Sequence, residues 1–260
     1  MTGPPAGGPR GAGPTEARPA FYALSPGGWR DYWTLLHPPY TLWHLSYVAI
    51  GAAAAPRVEP LHLSAALVAF LLGLGVCAHS LDELKGRPLR TRIPDAVLWT
   101  LAGVALLGAV GLGVAGAVEV SWWLLAFVAA GAFVVVAYNL EVLGGRVHND
   151  ATFALAWGGF PALTGAFAQT GRLTAPAVIV ALACVALSDV QRRLSTPVRR
   201  LRREVRAVEG SMALVDGSSE PIDAGSLRAA PEAALRGMSV ALPLLAAALV
   251  WARLAEPATR

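Results

Sequence analysis

The sequence predicts an all-α membrane protein, a polytopic bundle of about seven helices that cross the bilayer. Hydrophobic residues make up 55% of the chain and charged residues only 15%, whereas a soluble domain usually has about 25% charged residues. The charges collect in a few stretches. Between them lie continuous apolar runs of about 20 residues, the length that a helix needs to cross hydrocarbon. The runs do not alternate between polar and apolar residues, so they predict helices rather than a barrel.

The polar stretches divide the chain into four predicted regions. Residues 1–26, rich in Gly, Pro and Ala, predict a disordered tail. The bundle follows at 27–196, and we expect it to begin with a short interfacial helix, because Trp and Tyr are mixed with charges there. Residues 197–232 predict a cytoplasmic basic helix and a polar loop, and 233–260 predict the last span with a short C-terminal tail. The predicted spans are 39–55, 61–79, 94–117, 121–139, 151–170, 174–190 and 233–254.

The distribution of Lys and Arg predicts the orientation. Cytoplasmic loops carry an excess of both residues. With the N-terminus inside, the inside segments hold 17 of the 21 Lys and Arg residues and the outside segments hold 4. We therefore expect an integral protein of a plasma or inner membrane, with the N-terminus cytoplasmic and the C-terminus outside. Membrane lipid is the partner that these charges predict, and no nucleic-acid partner is predicted.

Small residues inside the spans predict close helix packing. Gly111 and Ala115 form one pair of small residues four positions apart, which we expect to pack helices within the bundle. Cys77 and Cys184 lie in apolar runs without paired spacing, so they predict buried thiols rather than a disulfide or a thiolate metal site. The sequence does not indicate an oligomeric state.

The first polar cluster is CAHSLDELKGRPLRTRIP, at the end of the second span. His79, Asp82 and Glu83 lie three and four positions apart and share one helix face. An imidazole with two carboxylates can bind a divalent metal. The alternative interpretation is an ordinary helix end followed by basic residues that set the topology.

Two further clusters are predicted on the same side of the membrane. YNLEVLGGRVHND concentrates Glu141, His148 and Asp150 in a short turn between two spans. LSDVQRRLSTPVRR brings Asp189 next to a pair of arginines at the end of the sixth span. Ionisable residues at such places are candidates for function, although an acid followed by basic residues is also a common surface arrangement.

At these residues the chain resembles the UbiA-type superfamily of intramembrane prenyltransferases, over roughly residues 34–200. LLHPPYTLWHLSYVAIGAAAAP is similar to the opening helix of the family, and GRPLRTRIPDAVLW to its Arg-Pro-Leu loop. YNLEVLGGRVHNDATFALAWGGFPALTGAFAQTG resembles its Tyr-led loop with the following helix. LSDVQRRLSTPV resembles its second aspartate motif. The resemblance implies a UbiA-like bundle that transfers an isoprenyl group from a diphosphate, with Mg²⁺ held by two Asp-rich motifs.

The chain departs from the family pattern at several ligand positions. Only Asp82 of the first motif is retained, because Ala78, His79 and Gly86 occupy its other positions. Asp189 of the second motif is retained, but its second acid is Arg193. The Lys that holds diphosphate in the family is absent after Tyr138, where the chain reads Val142, Leu143 and Gly144. Imidazole with carboxylate suits Fe, Mn or Zn better than Mg²⁺.

Three hypotheses follow for the function. The first is a divergent UbiA-like, metal-dependent transferase that acts on an isoprenyl or other lipid diphosphate at the cytoplasmic helix ends. The second is a membrane oxidase, oxygenase or hydrolase with a transition metal at the His/Asp/Glu cluster. The third is a non-catalytic lipid-binding descendant. The cofactor is therefore a divalent metal, Mg²⁺ or Fe, Mn or Zn, and the substrate is an apolar or isoprenoid small molecule.

The candidate residues fall into three roles under these hypotheses. The catalytic candidates are Asp82, Glu83 and Asp189. The candidate metal ligands are His79, Asp82, Glu83, Glu141, His148 and Asp150. The candidate substrate-binding residues are Arg87, Arg90, Arg92, Tyr138, Asn139, Arg146, Arg192 and Arg193.

Overall fold

The fold is known from a computed structural model, which describes residues 18–255. These residues form eight longer helices, a 3₁₀ turn (Leu143–Gly145) and one short β-hairpin, and two of the helices contain π-helical turns at Leu71–Ala78 and Leu155–Gly159. The helices are α1 (Trp29–Leu35), α2 (Pro38–Ala53), α3 (Pro60–Leu84), α4 (Asp95–Glu119), α5 (Leu124–Asn139), α6 (Asp150–Thr170), α7 (Ala175–Arg203) and α8 (Ala224–Ala255). The hairpin strands are β1 (Gly210–Ala213) and β2 (Ser219–Ile222).

Five of these helices are long and apolar enough to cross a membrane, namely α3, α4, α6, α7 and α8. The predicted all-α, integral membrane bundle is confirmed in this form. Helix α5 is apolar but has only 16 residues, and α2 also has 16. The number of seven spans therefore stays a prediction.

Local sequence signals explain where several helices begin and end. Proline at the first position starts α2 and α3, where its missing N–H costs nothing. The side chains of Asn149 and Thr174 cap α6 and α7 by accepting hydrogen bonds from backbone N–H groups three residues on. Gly171, with φ of 66°, ends α6 in the left-handed conformation that favours glycine.

Helix α2 lies at the centre of one half of the bundle, between α6 and α8. Its Gly51 and Gly165 of α6 mark the contact. A Cβ at Gly51 would overlap the Ala162 carbonyl, and one at Gly165 would overlap the Val48 carbonyl. The two backbones therefore touch, which is how helices gain packing contacts in lipid. Gly111 and Ala115, which the sequence suggested for packing, are instead exposed on α4.

The chain passes between two ends of the bundle. Four polar segments, which include α1 and the hairpin, contact one another or the neighbouring helix ends at one end of the bundle, which we call the polar end; they are residues 18–37, 85–94, 140–149 and 204–223. At the opposite end Arg253 donates to the carbonyl oxygens of Ala55 and Pro56 at 3.0 and 2.6 Å. Gln169 there accepts a hydrogen bond from the Glu59 backbone at 2.9 Å.

Two regions differ in detail from their sequence predictions. Residues 18–26, which were assigned to the disordered tail, contain the buried Ala20 and Ala23 and contact the bundle; residues 1–17 of that tail lie outside the described residues. Within 197–232 the structure has the end of α7, the hairpin and the start of α8. The hairpin strands are almost wholly exposed, so no alternation of apolar residues marks them in the sequence.

Candidate functional site

An open apolar groove of about 430 Å³ lies between α3, α4, α5 and α6. Its lining is almost entirely apolar and includes several small residues, among them Gly73, Ala109 and Gly131. Small-molecule sites usually measure about 300 to 1,000 Å³. The groove extends along α6 from Thr152 to Ala168, so its long axis follows the helices. It has the size and chemistry to hold an apolar chain.

The groove ends toward the polar end at a cluster of aromatic rings. Trp157 lines the groove and packs against Tyr138, with ring centroids 4.5 Å apart. Tyr138 in turn stacks on His148 at 4.3 Å. The Tyr138 hydroxyl is buried and has no hydrogen-bond partner among the described residues. A hydroxyl of this kind is available to bind a ligand group.

Glu83 has a structural role. It is fully buried, and its carboxylate accepts three hydrogen bonds, from the backbone N–H groups of Leu89 and Thr91 and from the Thr91 hydroxyl, each at 2.9 Å. These bonds fold the Arg-Pro-Leu loop against the end of α3. Arg87 and Arg90 in that loop have left-handed φ of 54° and 57°, a conformation that is costly for residues other than glycine.

The three predicted substrate-binding arginines of this loop differ in their contacts. Arg87 donates to the Ile93 carbonyl at 2.6 Å and pairs with Asp95. The Arg92 backbone N–H donates to Asp31 of α1 at 3.0 Å. The Arg90 side chain is exposed. The loop therefore presents arginines at the polar end, on a backbone that Glu83 and Asp31 hold in place.

His79 lies against a histidine that the sequence did not single out. Its ring stacks on that of His37 with centroids 4.0 Å apart and planes 10° apart. The His79 Nδ1 atom lies 3.0 Å from the Gly75 carbonyl oxygen. The Leu36 carbonyl is a second backbone partner of the His79 ring. The Nε2 atom of His37 is buried and has no partner among the described residues.

Asp82 lines a small pocket of about 50 Å³ at the polar end. Arg199 and Arg203 of α7 line the same pocket and are the positive charges that act most strongly on Asp82. Tyr138 and His148 are within electrostatic range of the same carboxylate. The structure thus brings Asp82 together with part of the predicted second cluster.

Residues 18–24, which we call the strap, close this pocket from outside. Tyr22 of the strap shares a hydrogen bond of 2.8 Å with His37 Nδ1. Burial raises the pKa of the Tyr22 hydroxyl well above its ordinary value, so the phenol stays neutral. Tyr40 of α2 completes the lining.

Asp189 and Asp150 are both paired with arginines. Asp189 accepts a hydrogen bond of 2.6 Å from Arg193, one turn further along α7. Asp150 accepts one of 2.8 Å from Arg192, whose guanidinium also lies over the Phe153 ring at 5.2 Å. These two predicted acids therefore bind Arg192 and Arg193 rather than one another.

The remaining predicted residues lie around the loop between α5 and α6. Glu141 forms an exposed ion pair with Lys85 at 3.5 Å. The His148 Nδ1–H donates to the Tyr138 carbonyl at 3.0 Å, and the Asn139 side chain donates to the Val135 carbonyl at 2.7 Å. Arg146 is exposed, and its carbonyl accepts from Asn149. This loop is held mainly by its own backbone contacts.

The predicted metal ligands do not converge. Within residues 18–255, no three His, Cys, Asp or Glu side chains form a group that could hold a metal ion. Glu83 is saturated by hydrogen bonds, and Asp150 and Glu141 have cationic partners. These residues do not fit a resident Mg²⁺ or transition-metal site, because such ions need several ligands directed at one point. The requirement for a divalent metal stays a prediction.

Sequence reasoning missed His37, the strap and the two arginines at the end of α7. His37 comes directly before the two prolines that begin α2, so the sequence there indicates only the start of a helix. Arg199 and Arg203 are four positions apart in a basic run, and their spacing indicates one helix face. That face turns inward only because α7 continues to Arg203, beyond the predicted span.

Comparison with family models, with curated proteins and with solved structures found no match to this chain.

Proposed function

We propose that the protein is a divergent UbiA-like membrane enzyme that binds an isoprenyl or other lipid diphosphate. The observation that carries this proposal is the apolar groove of about 430 Å³. It lies alongside α6 and ends at the aromatic cluster below the polar end. An apolar chain in the groove would leave its head group at the end of the bundle that carries the arginines.

Under this proposal the polar end binds the diphosphate. Arg199 and Arg203 supply fixed positive charge, which stabilises the negative charge that develops on a departing diphosphate. The Tyr138 hydroxyl supplies one neutral donor. In a transfer, the bond between the isoprenyl carbon and the diphosphate oxygen breaks, and the diphosphate leaves with the electron pair. The acceptor forms the new bond to that carbon and loses a proton, for which the Asp82 carboxylate in the polar-end pocket is the base.

The membrane arrangement is part of the same proposal. If α2 and α5 are counted as spans, the chain crosses the membrane seven times, and successive loops lie on opposite sides. The polar end then corresponds to the inside segments that hold 17 of the 21 Lys and Arg residues. We infer a cytoplasmic N-terminus in a plasma or inner membrane.

A second candidate is a lipid-binding protein without catalytic activity. The engagement of Glu83, Asp150 and Asp189 in protein contacts favours this candidate. It shares the apolar groove with the first candidate and differs in having no reaction at the polar end. Product formation from an isoprenyl diphosphate and a mixed pool of lipid acceptors, by purified protein with Mg²⁺ and with Mn²⁺, distinguishes the two.

A larger side chain in the groove tests whether the groove binds the apolar chain of the substrate. Gly73 lines the groove, and a Cβ there would have only an ordinary contact, 3.9 Å from Ala109. We expect Gly73→Leu to weaken binding of farnesyl diphosphate at least about tenfold, because each displaced methylene loses about 0.8 kcal/mol of burial. Equilibrium binding in detergent measures the effect.

Gly103→Leu is the matched control for this change. Gly103 is exposed on α4, and a Cβ there has no atom within 4 Å. The same substitution on this outer face should leave farnesyl diphosphate affinity unchanged. Equal affinities of the Gly73 and Gly103 variants would contradict the assignment of the groove as the binding site for the chain.

Asp189→Asn separates the catalytic role from the structural one. The ion pair with Arg193 is partly exposed, so its loss should change the free energy of unfolding by only about 0.5 kcal/mol. If Asp189 acts as the resemblance implies, product formation should fall by at least about a hundredfold while the melting temperature is kept. Unchanged product formation would remove Asp189 from the catalytic set.

A further inference from the structure

The strap covers the pocket that contains Asp82. Pro19, Ala20, Phe21 and Tyr22 form its outer wall, and Asp82 is part of the lining beneath them. The volume of the pocket is about 50 Å³. Small-molecule sites usually measure about 300 to 1,000 Å³. With the strap in place, the pocket is therefore far smaller than a usual ligand site.

Arginines of α7 hold the start of the strap. Arg202 and Arg203 donate hydrogen bonds of 3.2 Å to the carbonyl oxygens of Arg18 and Pro19. Both acceptors are neutral. Hydrogen bonds from a guanidinium to phosphate are charge-assisted and about twice as strong as neutral ones. A phosphate that arrives at Arg203 therefore competes favourably with the Pro19 carbonyl.

Aromatic contacts hold the middle of the strap. Phe21 packs edge-on against Tyr40 of α2 at 6.1 Å, and the Arg236 guanidinium of α8 lies over its ring at 4.6 Å. Tyr22 binds His37 through its hydroxyl. The Leu24 backbone N–H donates to the Thr34 hydroxyl at 3.0 Å, which fixes the far end of the strap.

We propose that the strap is a lid, and that it must leave the polar end before an anionic head group reaches Asp82, Arg199 and Arg203. Single hydrogen bonds to neutral carbonyls hold its start, and ring and cation–π contacts hold Phe21, so it is held by side-chain and loop contacts rather than by helix or sheet hydrogen bonds. An anionic ligand binds only the open form and so shifts the population toward it. The proposal rests on the proposed function where it names the head group as the ligand; the lid itself is independent of it.

A cysteine in the pocket reports on the lid. Val198 is buried in the pocket wall, and cysteine is close to valine in size. We take Val198→Cys in a background with Cys77 and Cys184 replaced by alanine, and measure its labelling rate with a charged maleimide that does not cross membranes. Phe21→Ser, which removes the central anchor of the strap, should raise this rate at least about tenfold.

Two further variants keep the test decisive. Tyr22→Phe removes only the bond to His37 and should raise the rate by about fivefold, the equivalent of one neutral hydrogen bond. Tyr32→Ser changes an exposed aromatic residue of α1 that does not line the pocket, and should leave the rate unchanged. If the Val198→Cys protein is labelled at the same rate with and without Phe21→Ser or Tyr22→Phe, the lid proposal is wrong.

Farnesyl diphosphate then tests the ligand. If farnesyl diphosphate slows labelling of the pocket cysteine in the Phe21→Ser background, the result supports entry of the head group into this pocket. Labelling that depends on the strap but is unaffected by farnesyl diphosphate would refute that assignment, while binding in the groove is judged separately by the Gly73→Leu comparison. The failure of one proposal is thus distinct from the failure of the other.

Discussion

Glu83→Ala is expected to destabilise the protein by about 3 kcal/mol or more, because it leaves buried donors without acceptors. Two backbone N–H groups and one hydroxyl lose their partner when the carboxylate is removed. The left-handed conformations of Arg87 and Arg90 then lose the bonds that hold the loop. The melting temperature in detergent should fall by several degrees, and the Arg-Pro-Leu loop should become sensitive to protease.

Glu83→Gln is the control for this prediction. Its amide oxygen can still accept from Thr91, while its NH₂ group faces the Leu89 N–H and gains no bond. The loss of stability should therefore be clearly smaller than that of Glu83→Ala. Glu83→Ala with an unchanged melting temperature and metal binding lost instead would show that Glu83 is a ligand and not a structural residue.

Gly165→Val is the second substitution with a large expected effect. A Cβ at this position overlaps the backbone carbonyl of Val48, and a backbone carbonyl inside a helix cannot move aside as a side chain can. Helices α2 and α6 must separate, and the packing on both sides of the contact is lost. We expect a loss of about 3 kcal/mol, at the upper end of the range for overpacked cores, and a reduced yield of folded protein.

The same change at Gly111 is the matched control. A Cβ there meets no atom within 4 Å among the described residues, and a lipid-facing valine is favourable in a membrane helix. Gly111→Val should therefore keep the melting temperature of the unchanged protein. A large loss at Gly111 with no loss at Gly165 would show that the close helix contact lies elsewhere, as the sequence alone suggested.

The comparison of Glu83 with Asp82 shows how far site prediction from the sequence extends. Both acids lie in the same cluster and next to one another, and both were predicted as metal ligands. The structure separates them, because Glu83 turns toward the loop backbone while Asp82 lines the pocket with Arg199. Adjacent residues on a helix point about 100° apart. The position of the following loop alone decides which of the two carboxylates accepts hydrogen bonds from the loop backbone.

Asp189 shows the same limit for charged pairs. The sequence indicates that Arg192 and Arg193 are both near it, and the spacing of four residues favours Arg193. Arg192 instead reaches Asp150, which is 42 residues away in the chain. No local pattern predicts that contact, because it depends on the packing of α6 against α7.

The sequence by itself determined that the chain is a helical membrane protein, because long uncharged apolar runs can satisfy their backbone only as helices in lipid. It also determined that the ionisable residues collect at the helix ends. The tertiary structure decided which of those residues bind one another, that α2 and α6 touch through glycines, and that residues 18–24 close a pocket. These features depend on contacts between distant parts of the chain, and the strap in particular packs through a few aromatic and carbonyl groups that have no recurring spacing.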